Sequence, residues 1–241
     1  METLRLADAV SFSEYPGRGI IVGRSCDGEY AIGAYFIMGR SANSRNRRFV
    51  SEGGKIRTVP YDESKVEDPS LIIYTAVRSY REDTIITNGD QTDTVYVGLA
   101  SGVSFEQVLR TRRFEPDGPN FTPRISAVIE RRDGDFSYAM SILKTDEKNP
   151  LSENRYLYTY DHPRNGIGRF IHTYAANADP LPSFEGEPKI VELKGGMDEI
   201  ADTIWNNLNE DNRISLAVRF IDIASGEYTE KIINKYGYSA K

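Results

Sequence analysis

Hydrophobic residues in this chain fall into short runs separated by turn-forming residues, a pattern typical of β-strands. The predicted strands are rich in β-branched and aromatic side chains and cover residues 19–24, 30–38, 55–61, 71–80, 84–87, 125–131, 136–143, 155–160, 170–174, 214–223 and 228–233. Helical spacing predicts a helix over residues 95–109, which restarts at Ser104, and a helix over residues 197–208, capped by Asp198. Many strands and few helices predict an α+β fold with largely antiparallel sheets, in which helices cover two packed sheets.

Residues 87–94, Thr-Asn-Gly-Asp-Gln-Thr-Asp-Thr, connect the end of a predicted strand to the start of a predicted helix. Asn88-Gly89 favours a tight turn with positive φ. Asp90, Thr92 and Asp93 are candidate helix caps, as is Thr94. Two interpretations stay open. The segment is either only a well-capped turn, or a site whose polar side chains face one point and bind a sugar hydroxyl or an amide N–H.

Arginines are concentrated in residues 39–49, a polar segment with little to bury. Arg40, Arg45 and Arg47 belong to it, and Arg18 and Arg24 flank the first predicted strand. Guanidinium groups bind phosphate oxygens bidentately, so this region is a candidate phosphate site. The alternative is a solvated basic loop.

Residues 114–124 contain three prolines and a glycine, which predicts a stiff, irregular loop. Glu115 and Asp117 are therefore held in place, either as turn formers or as a positioned acid or base. Further along, residues 144–154 are polar and are predicted to be exposed. Residues 180–188, with three prolines, are predicted to be extended and stiff.

Composition narrows the functional classes. The 241 residues carry a formal net charge of −6 and a pI of about 5.2, which argues against a general nucleic-acid-binding surface. A single cysteine, Cys26, and the lack of an apolar signal-peptide core or a membrane-length apolar window favour the cytoplasm. His162 and His172 lie on different segments without a third ligand nearby, so no metal site is predicted. No Walker loop, Rossmann glycine pattern or Gly-x-Ser-x-Gly motif is present.

Five polar segments together resemble the archaeal-type inosine monophosphate (IMP) cyclohydrolase family. In chain order they are Pro-Gly-Arg-Gly with Val-Gly-Arg-Ser (residues 16–25), Gly-Arg-Ser with downstream arginines (39–47), Asp-Pro-Ser-Leu-Ile-Ile-Tyr (68–74), the 87–94 segment, and Asn-Phe-Thr-Pro-Arg-Ile (120–125). The resemblance is strongest over residues 15–129. Residues 180–188 belong to a part that is longer than the family pattern.

The resemblance implies a four-layer αββα sandwich like that of N-terminal-nucleophile hydrolases, forming one domain over residues 1–241. It implies closure of 5-formamidoimidazole-4-carboxamide ribotide to IMP with loss of water, the last step of purine synthesis. No cofactor is expected. The expected ligand is the small purine ribotide, and no nucleic acid or membrane partner is expected. The chain is expected to form a homo-oligomer. Residues 1–4, Met-Glu-Thr-Leu, offer no terminal nucleophile, which suits ring closure without an acyl-enzyme.

The resemblance also suggests site roles. The candidate acids and bases are Tyr74, Glu115 and Asp117. The candidate substrate-binding residues each offer a side-chain or backbone hydrogen-bonding group. They are Arg18, Arg24, Arg40, Arg45, Arg47, Asn88, Gly89, Asp90, Thr92, Asp93, Thr122 and Arg124. Two alternatives remain: a hydrolase of another purine-like amide or cyclic amidine, and a non-catalytic purine-nucleotide-binding protein.

Overall fold

The computed structural model describes residues 2–66 and 73–237. The helices there are α1 (Leu6–Ser11), α2 (Ala42–Arg45), α3 (Gln91–Ala100), α4 (Phe105–Leu109), α5 (Met197–Asn207) and a 3-10 turn (Glu63–Lys65). The strands there are β1 (Arg18–Arg24), β2 (Tyr30–Met38), β3 (Arg48–Glu52), β4 (Lys55–Val59), β5 (Thr75–Tyr80), β6 (Asp83–Thr87), β7 (Arg124–Arg132), β8 (Asp135–Asp146), β9 (Asn149–Tyr160), β10 (Ile167–His172), β11 (Lys189–Glu192), β12 (Arg213–Asp222) and β13 (Tyr228–Asn234).

The strands form two sheets. A six-stranded sheet has the order β11-β10-β1-β2-β12-β13, and a seven-stranded sheet has the order β3-β4-β5-β6-β7-β8-β9. All paired strands run antiparallel. The prediction of an α+β fold with largely antiparallel sheets is confirmed.

Alternation along the strands divides the apolar side chains among three cores. In β1, Ile20 and Val22 join the core between the two sheets, while Ile21 joins a second core beneath α1 and α5. A third core packs α3 and α4 on the seven-stranded sheet around Ile85. The elements therefore stack as helices, sheet, sheet, helices. None of the helices in the described residues is long and apolar enough to cross a membrane.

Two predicted helices need correction. The helix predicted from residue 95 begins earlier, at Gln91, as α3. The predicted restart at Ser104 is confirmed: α4 follows Ser104, whose hydroxyl accepts from the Gln107 N–H at 3.3 Å. Asp198 does not cap α5. The cap residue is Gly196, whose N–H donates to the Glu199 carboxylate at 3.0 Å.

The prediction that residues 144–154 are exposed is wrong for Lys144 and Thr145, which are buried at the end of β8. Glu147 and Lys148, with φ of 47° and 61°, make a tight turn into β9. The polar composition of this segment predicted exposure, but Lys144 buries the apolar part of its side chain while its ammonium donates to the Phe184 carbonyl at 2.8 Å. The first residues of the predicted strand 71–80 lie outside the described residues, and β5 begins at Thr75.

Candidate functional site

A cavity of about 280 Å³ opens where several irregular segments meet the start of β1. These segments are the turn around α2, the loop between α4 and β7, and the chain that follows β10. The lining residues are Tyr15, Arg18, Arg40, Ser41, Asn43, Ser44, Arg47, Glu115, Asp117, Asn120, Thr122, Tyr174 and Leu181. A larger hollow of about 580 Å³ between the β1–β2 and β12–β13 turns contains none of the predicted site residues. The smaller cavity is therefore the candidate site.

A buried ion pair lies in this cavity. Arg18 Nη2 donates to Glu115 Oε2 at 3.5 Å, and the two side chains are only 11% and 4% exposed. Burial raises the pKa of the Glu115 carboxyl, and the positive charges of Arg18 and Arg124 oppose that rise. Arg18 Nε is buried and has no hydrogen-bond partner among the described residues. The cavity thus holds a carboxyl with enhanced proton affinity beside an arginine whose buried Nε–H has no partner among the described residues.

The stiffness of the loop before β7 comes from Asp117. Its carboxylate accepts from the Thr122 N–H at 2.6 Å and also from the Thr122 hydroxyl. The Glu115 N–H donates to the Thr122 carbonyl at 2.9 Å, which closes the loop from the other side. The Tyr174 hydroxyl lies 2.5 Å from the Thr122 hydroxyl. The Asp117 carboxylate therefore holds the loop, whereas the Glu115 carboxylate has, within the described part of the chain, only the long contact with Arg18.

Two arginines of the 39–49 segment reach the cavity. Arg40 Nη1 donates to Asn177 Oδ1 at 2.9 Å and to the Ala178 carbonyl at 3.0 Å, and its guanidinium lies 5.0 Å from the centre of the Tyr15 ring. Arg47 is 2% exposed, and its Nε and Nη2 donate to the backbone carbonyls of Ser44 and Met38. Together with Arg18, they give the cavity a positive wall in an acidic protein.

Arg45 and Arg24 are not brought to the cavity. Arg45 turns towards the Gly39 carbonyl at 3.0 Å and Asn212 Oδ1 at 3.2 Å. Arg24 pairs with Asp135 at the far end of β1. Six residue steps along a strand separate it from Arg18, a distance of about 20 Å. Sequence proximity grouped these side chains, but strand length and turn direction separate them.

The 87–94 junction is built mainly from internal hydrogen bonds. Asn88 Oδ1 accepts from the Ile125 N–H, and its Nδ2 donates to the Pro123 carbonyl, both at 2.9 Å. The Thr87 and Thr92 hydroxyls lie 2.6 Å apart in the interior. These side chains fasten the strand-to-helix junction to the start of β7, and neither Asn88 nor Thr92 lines the cavity.

The two aspartates of the junction point elsewhere. Asp90 pairs with Arg124 at 2.7 Å and with Arg112 at 2.5 Å, while Asp93 pairs with Arg78 at 2.6 Å. The expectation that the polar side chains of the junction face one point is therefore wrong. Short polar side chains at successive helix positions diverge by about 100° each, so they do not converge.

Gly89 was expected to adopt positive φ, and it does not. Its role is close approach. A Cβ added there would lie 2.5 Å from Arg124 Nη1 and 2.6 Å from Gln91 Oε1, and Arg124 Nη1 donates to Gln91 Oε1 at 2.6 Å. The glycine lets the Arg124 guanidinium cross the junction, where its charge acts on Glu115.

Tyr74 lies next to the cavity without lining it. Its hydroxyl is 2.7 Å from the Tyr35 hydroxyl, and both rings are buried. Burial opposes the charged form of Arg18, but the negative charge of Glu115 more than offsets that effect, and the pKa of Arg18 lies well above its usual value. Most of the 68–74 segment lies outside the described residues, so only its end can be placed. Sequence reasoning missed Tyr35 and Tyr174, which sit in strand-like runs without any distinguishing motif.

No three His, Cys, Asp or Glu side chains within residues 2–66 and 73–237 are grouped as metal ligands. His172 is buried among aromatic rings, with Nδ1 2.9 Å from the Tyr174 carbonyl. His162 is exposed beside Asp135 at 3.0 Å. Neither histidine lines the cavity.

Known proteins similar to this chain have a common name. The family model described as IMP cyclohydrolase-like protein matches residues 15–227, a span that contains every residue lining the cavity. An IMP cyclohydrolase of Methanopyrus kandleri is 29% identical over 193 residues, which cover 71% of this chain and 89% of that relative. An IMP cyclohydrolase of Methanothrix thermoacetophila is 30% identical over 122 residues, which cover 49% of this chain and 59% of that relative.

Proposed function

Because this chain belongs to the IMP cyclohydrolase-like family, we propose that it closes 5-formamidoimidazole-4-carboxamide ribotide to IMP. The carboxamide nitrogen attacks the formyl carbon of the same molecule, the carbinolamine loses its hydroxyl as water, and no cofactor is consumed. The observation that carries the proposal is the buried Arg18–Glu115 pair, which lies within the family-matched span in a cavity flanked by Arg40 and Arg47.

The arginines suit the 5′-phosphate. Arg40 is held at the mouth of the cavity by hydrogen bonds to Asn177 and Ala178. Arg47 is held by hydrogen bonds to the backbone carbonyls of Ser44 and Met38. Each uses only part of its guanidinium fork for these contacts, so the remaining N–H groups can bind phosphate oxygens. Arg45 and Arg24 have no place in this proposal because they point away from the cavity.

Holding the substrate in one conformation supplies much of the acceleration, because both reacting atoms belong to the same molecule. What remains is proton transfer. Glu115 is proposed to take a proton from the attacking amide nitrogen and pass it to the formyl oxygen, which gives the carbinolamine. It is then proposed to take the proton of the formamido nitrogen and pass it to the hydroxyl, which leaves as water; the raised pKa of Glu115 favours both transfers. Asp117 and Thr122 hold the loop that presents Glu115. Tyr74 has the weaker claim as an acid, since its hydroxyl is bonded to Tyr35.

The other predicted residues fit supporting roles. Arg124, with Gly89 and Asp90 around it, is proposed to tune the charge of Glu115. Asn88 and Thr92 are proposed to position the 87–94 junction next to Arg124. Asp93 has no proposed role at the cavity. For the whole chain, we propose a single domain whose helix, sheet, sheet, helix order follows the N-terminal-nucleophile-hydrolase-like arrangement, working in the cytoplasm as a homo-oligomer.

The test is an absorbance assay of purified protein with the formamido ribotide, with no folate or metal added. The expected result is IMP formation far above the spontaneous rate, and a much weaker reaction with the unphosphorylated riboside. Binding of IMP without turnover would replace the enzyme with a nucleotide-binding protein. The absence of both turnover and IMP binding would overturn the proposal.

A further inference from the structure

The chain that follows β10 forms one wall of the cavity, and the loop before β7 forms another. Tyr174 and Leu181 belong to the first wall, and Asn120 and Thr122 belong to the second. The first wall has no regular strand or helix between residues 175 and 182. Its ends are joined by the Ala175 N–H, which donates to the Pro182 carbonyl at 2.9 Å, and contacts with other segments decide how the loop lies against the cavity.

Asn120 is the meeting point of these walls. Its Oδ1 accepts from the Leu181 N–H at 3.0 Å, and its own carbonyl accepts from Lys148 Nζ at 2.6 Å. Lys148 Nζ also lies 3.4 Å from the Ser183 hydroxyl. One ammonium group therefore contacts both walls, from a turn that belongs to neither of them.

We propose that Lys148 is a positioning residue for the substrate cavity, acting through Asn120 and Leu181. It does not line the cavity itself. Its backbone is anchored in the tight β8–β9 turn, where φ is 61°, so the ammonium is presented from the edge of the seven-stranded sheet. A hydrogen bond from a charged donor to a carbonyl is stronger than a neutral one, which suits the fixing of two irregular segments.

The same wall also reaches the mouth of the cavity. Asn177 and Ala178 hold Arg40 through its Nη1, and Asn177 Nδ2 donates to Glu14 at 3.1 Å. If the wall loses its attachment to Asn120, Leu181 and Arg40 lose their fixed places together. The expected consequence is weaker substrate binding, with little change in proton transfer at Glu115.

The test compares Lys148→Met with Lys148→Arg and with Lys144→Met. Lys144 is the matched control, because its ammonium donates to the Phe184 carbonyl in the same segment but, among the described residues, contacts none that lines the cavity. We expect K148M to raise KM about tenfold or more with kcat within about threefold, a loss equivalent to about 1.4 kcal/mol or more in binding. K148R should restore most of the KM. K144M should lower Tm while leaving KM near that of the wild type.

The kinetic arm rests on the proposed function, so a second measurement without ligand keeps the two claims separate. Hydrogen exchange of the Leu181 amide should be faster in K148M than in wild-type protein or K144M. Equal KM and unchanged Leu181 exchange in K148M would overturn the proposal for Lys148. A wild-type protein that neither turns over the ribotide nor binds IMP would overturn the proposed function, and the exchange rates would still decide the role of Lys148.

Discussion

Replacing Glu115 with glutamine tests the centre of the proposed mechanism. The variant keeps the size of the side chain and the backbone bond to Thr122, but it removes the negative charge and the exchangeable carboxyl proton. General acid–base groups contribute roughly 10²–10⁴-fold to rate. We therefore expect kcat to fall by about that factor, whereas the affinity for IMP should change little or rise, because Arg18 loses its competing partner.

The same change has a predictable effect on stability. Hydrogen bonds to charged groups contribute about 1.5–3 kcal/mol. The 3.5 Å separation of Arg18 and Glu115 places this contact at the lower end of that range. A loss of about 1.5 kcal/mol in a domain of this size lowers Tm by roughly 3–6 °C. The variant should therefore be folded and assayable at 25 °C.

The pH profile supplies a third readout. Burial raises the pKa of Glu115 in the folded protein, so any stabilisation from its bound proton is present at low pH and is lost as pH rises through that pKa. Activity has the opposite dependence, because the proposed base is the carboxylate. In wild-type protein kcat/KM should fall in acid with a midpoint above the usual glutamate range, and the E115Q profile should lack that limb.

Steady-state kinetics across pH, calorimetric titration with IMP and a thermal melt measure these three effects. A kcat within threefold of wild type would remove Glu115 from proton transfer. A normal kcat with a large loss of IMP affinity would instead make Glu115 a binding residue. An unchanged acid limb in E115Q would assign that limb to another group.

Burial and the positive charge of Lys189 lower the pKa of His172 to about 3. As pH falls from 6.5 to 5, this group should therefore lower the free energy of unfolding of the wild type by about 2 kcal/mol. Urea unfolding of His172→Phe should show a weaker dependence on pH. Equal slopes would refute that assignment. Gly89→Ala should cost about 1–3 kcal/mol through the clash with the Arg124 guanidinium. Gly237→Ala, where a methyl meets open space, should change denaturant stability by less than about 0.5 kcal/mol. Arg40→Ala should raise KM for the ribotide roughly 10-fold or more but not KM for the riboside, whereas Arg45→Ala should leave both nearly unchanged; equal effects would contradict the cavity geometry.

The α+β class, most of the strands and the amphipathic helix α5 were predictable from the residue pattern alone. Local patterns are sufficient for these features, because alternation decides which face of a strand is buried and helical spacing decides which face of a helix is buried. Ile20 and Ile21 show this directly, since adjacent residues of one strand join different cores. The hairpin turn at Gly28, with φ of 83°, was also predictable from its Asp-Gly pair.

Which side chains come into contact depends on how the strands and loops pack in three dimensions. Arg18 and Arg24 are equivalent by pattern, but strand length puts one of them in the cavity and the other about 20 Å away. The sequence predicted a positive φ at Gly89, but the structure requires a glycine there for another reason, the close approach of Arg124. That approach could not be predicted locally because Arg124 lies 35 positions away in the sequence. Lys144 reads as exposed in sequence but is buried, since its long side chain reaches the Phe184 carbonyl on a distant segment. Contacts of this kind depend on how separate elements pack, and the local residue pattern carries no information about that packing.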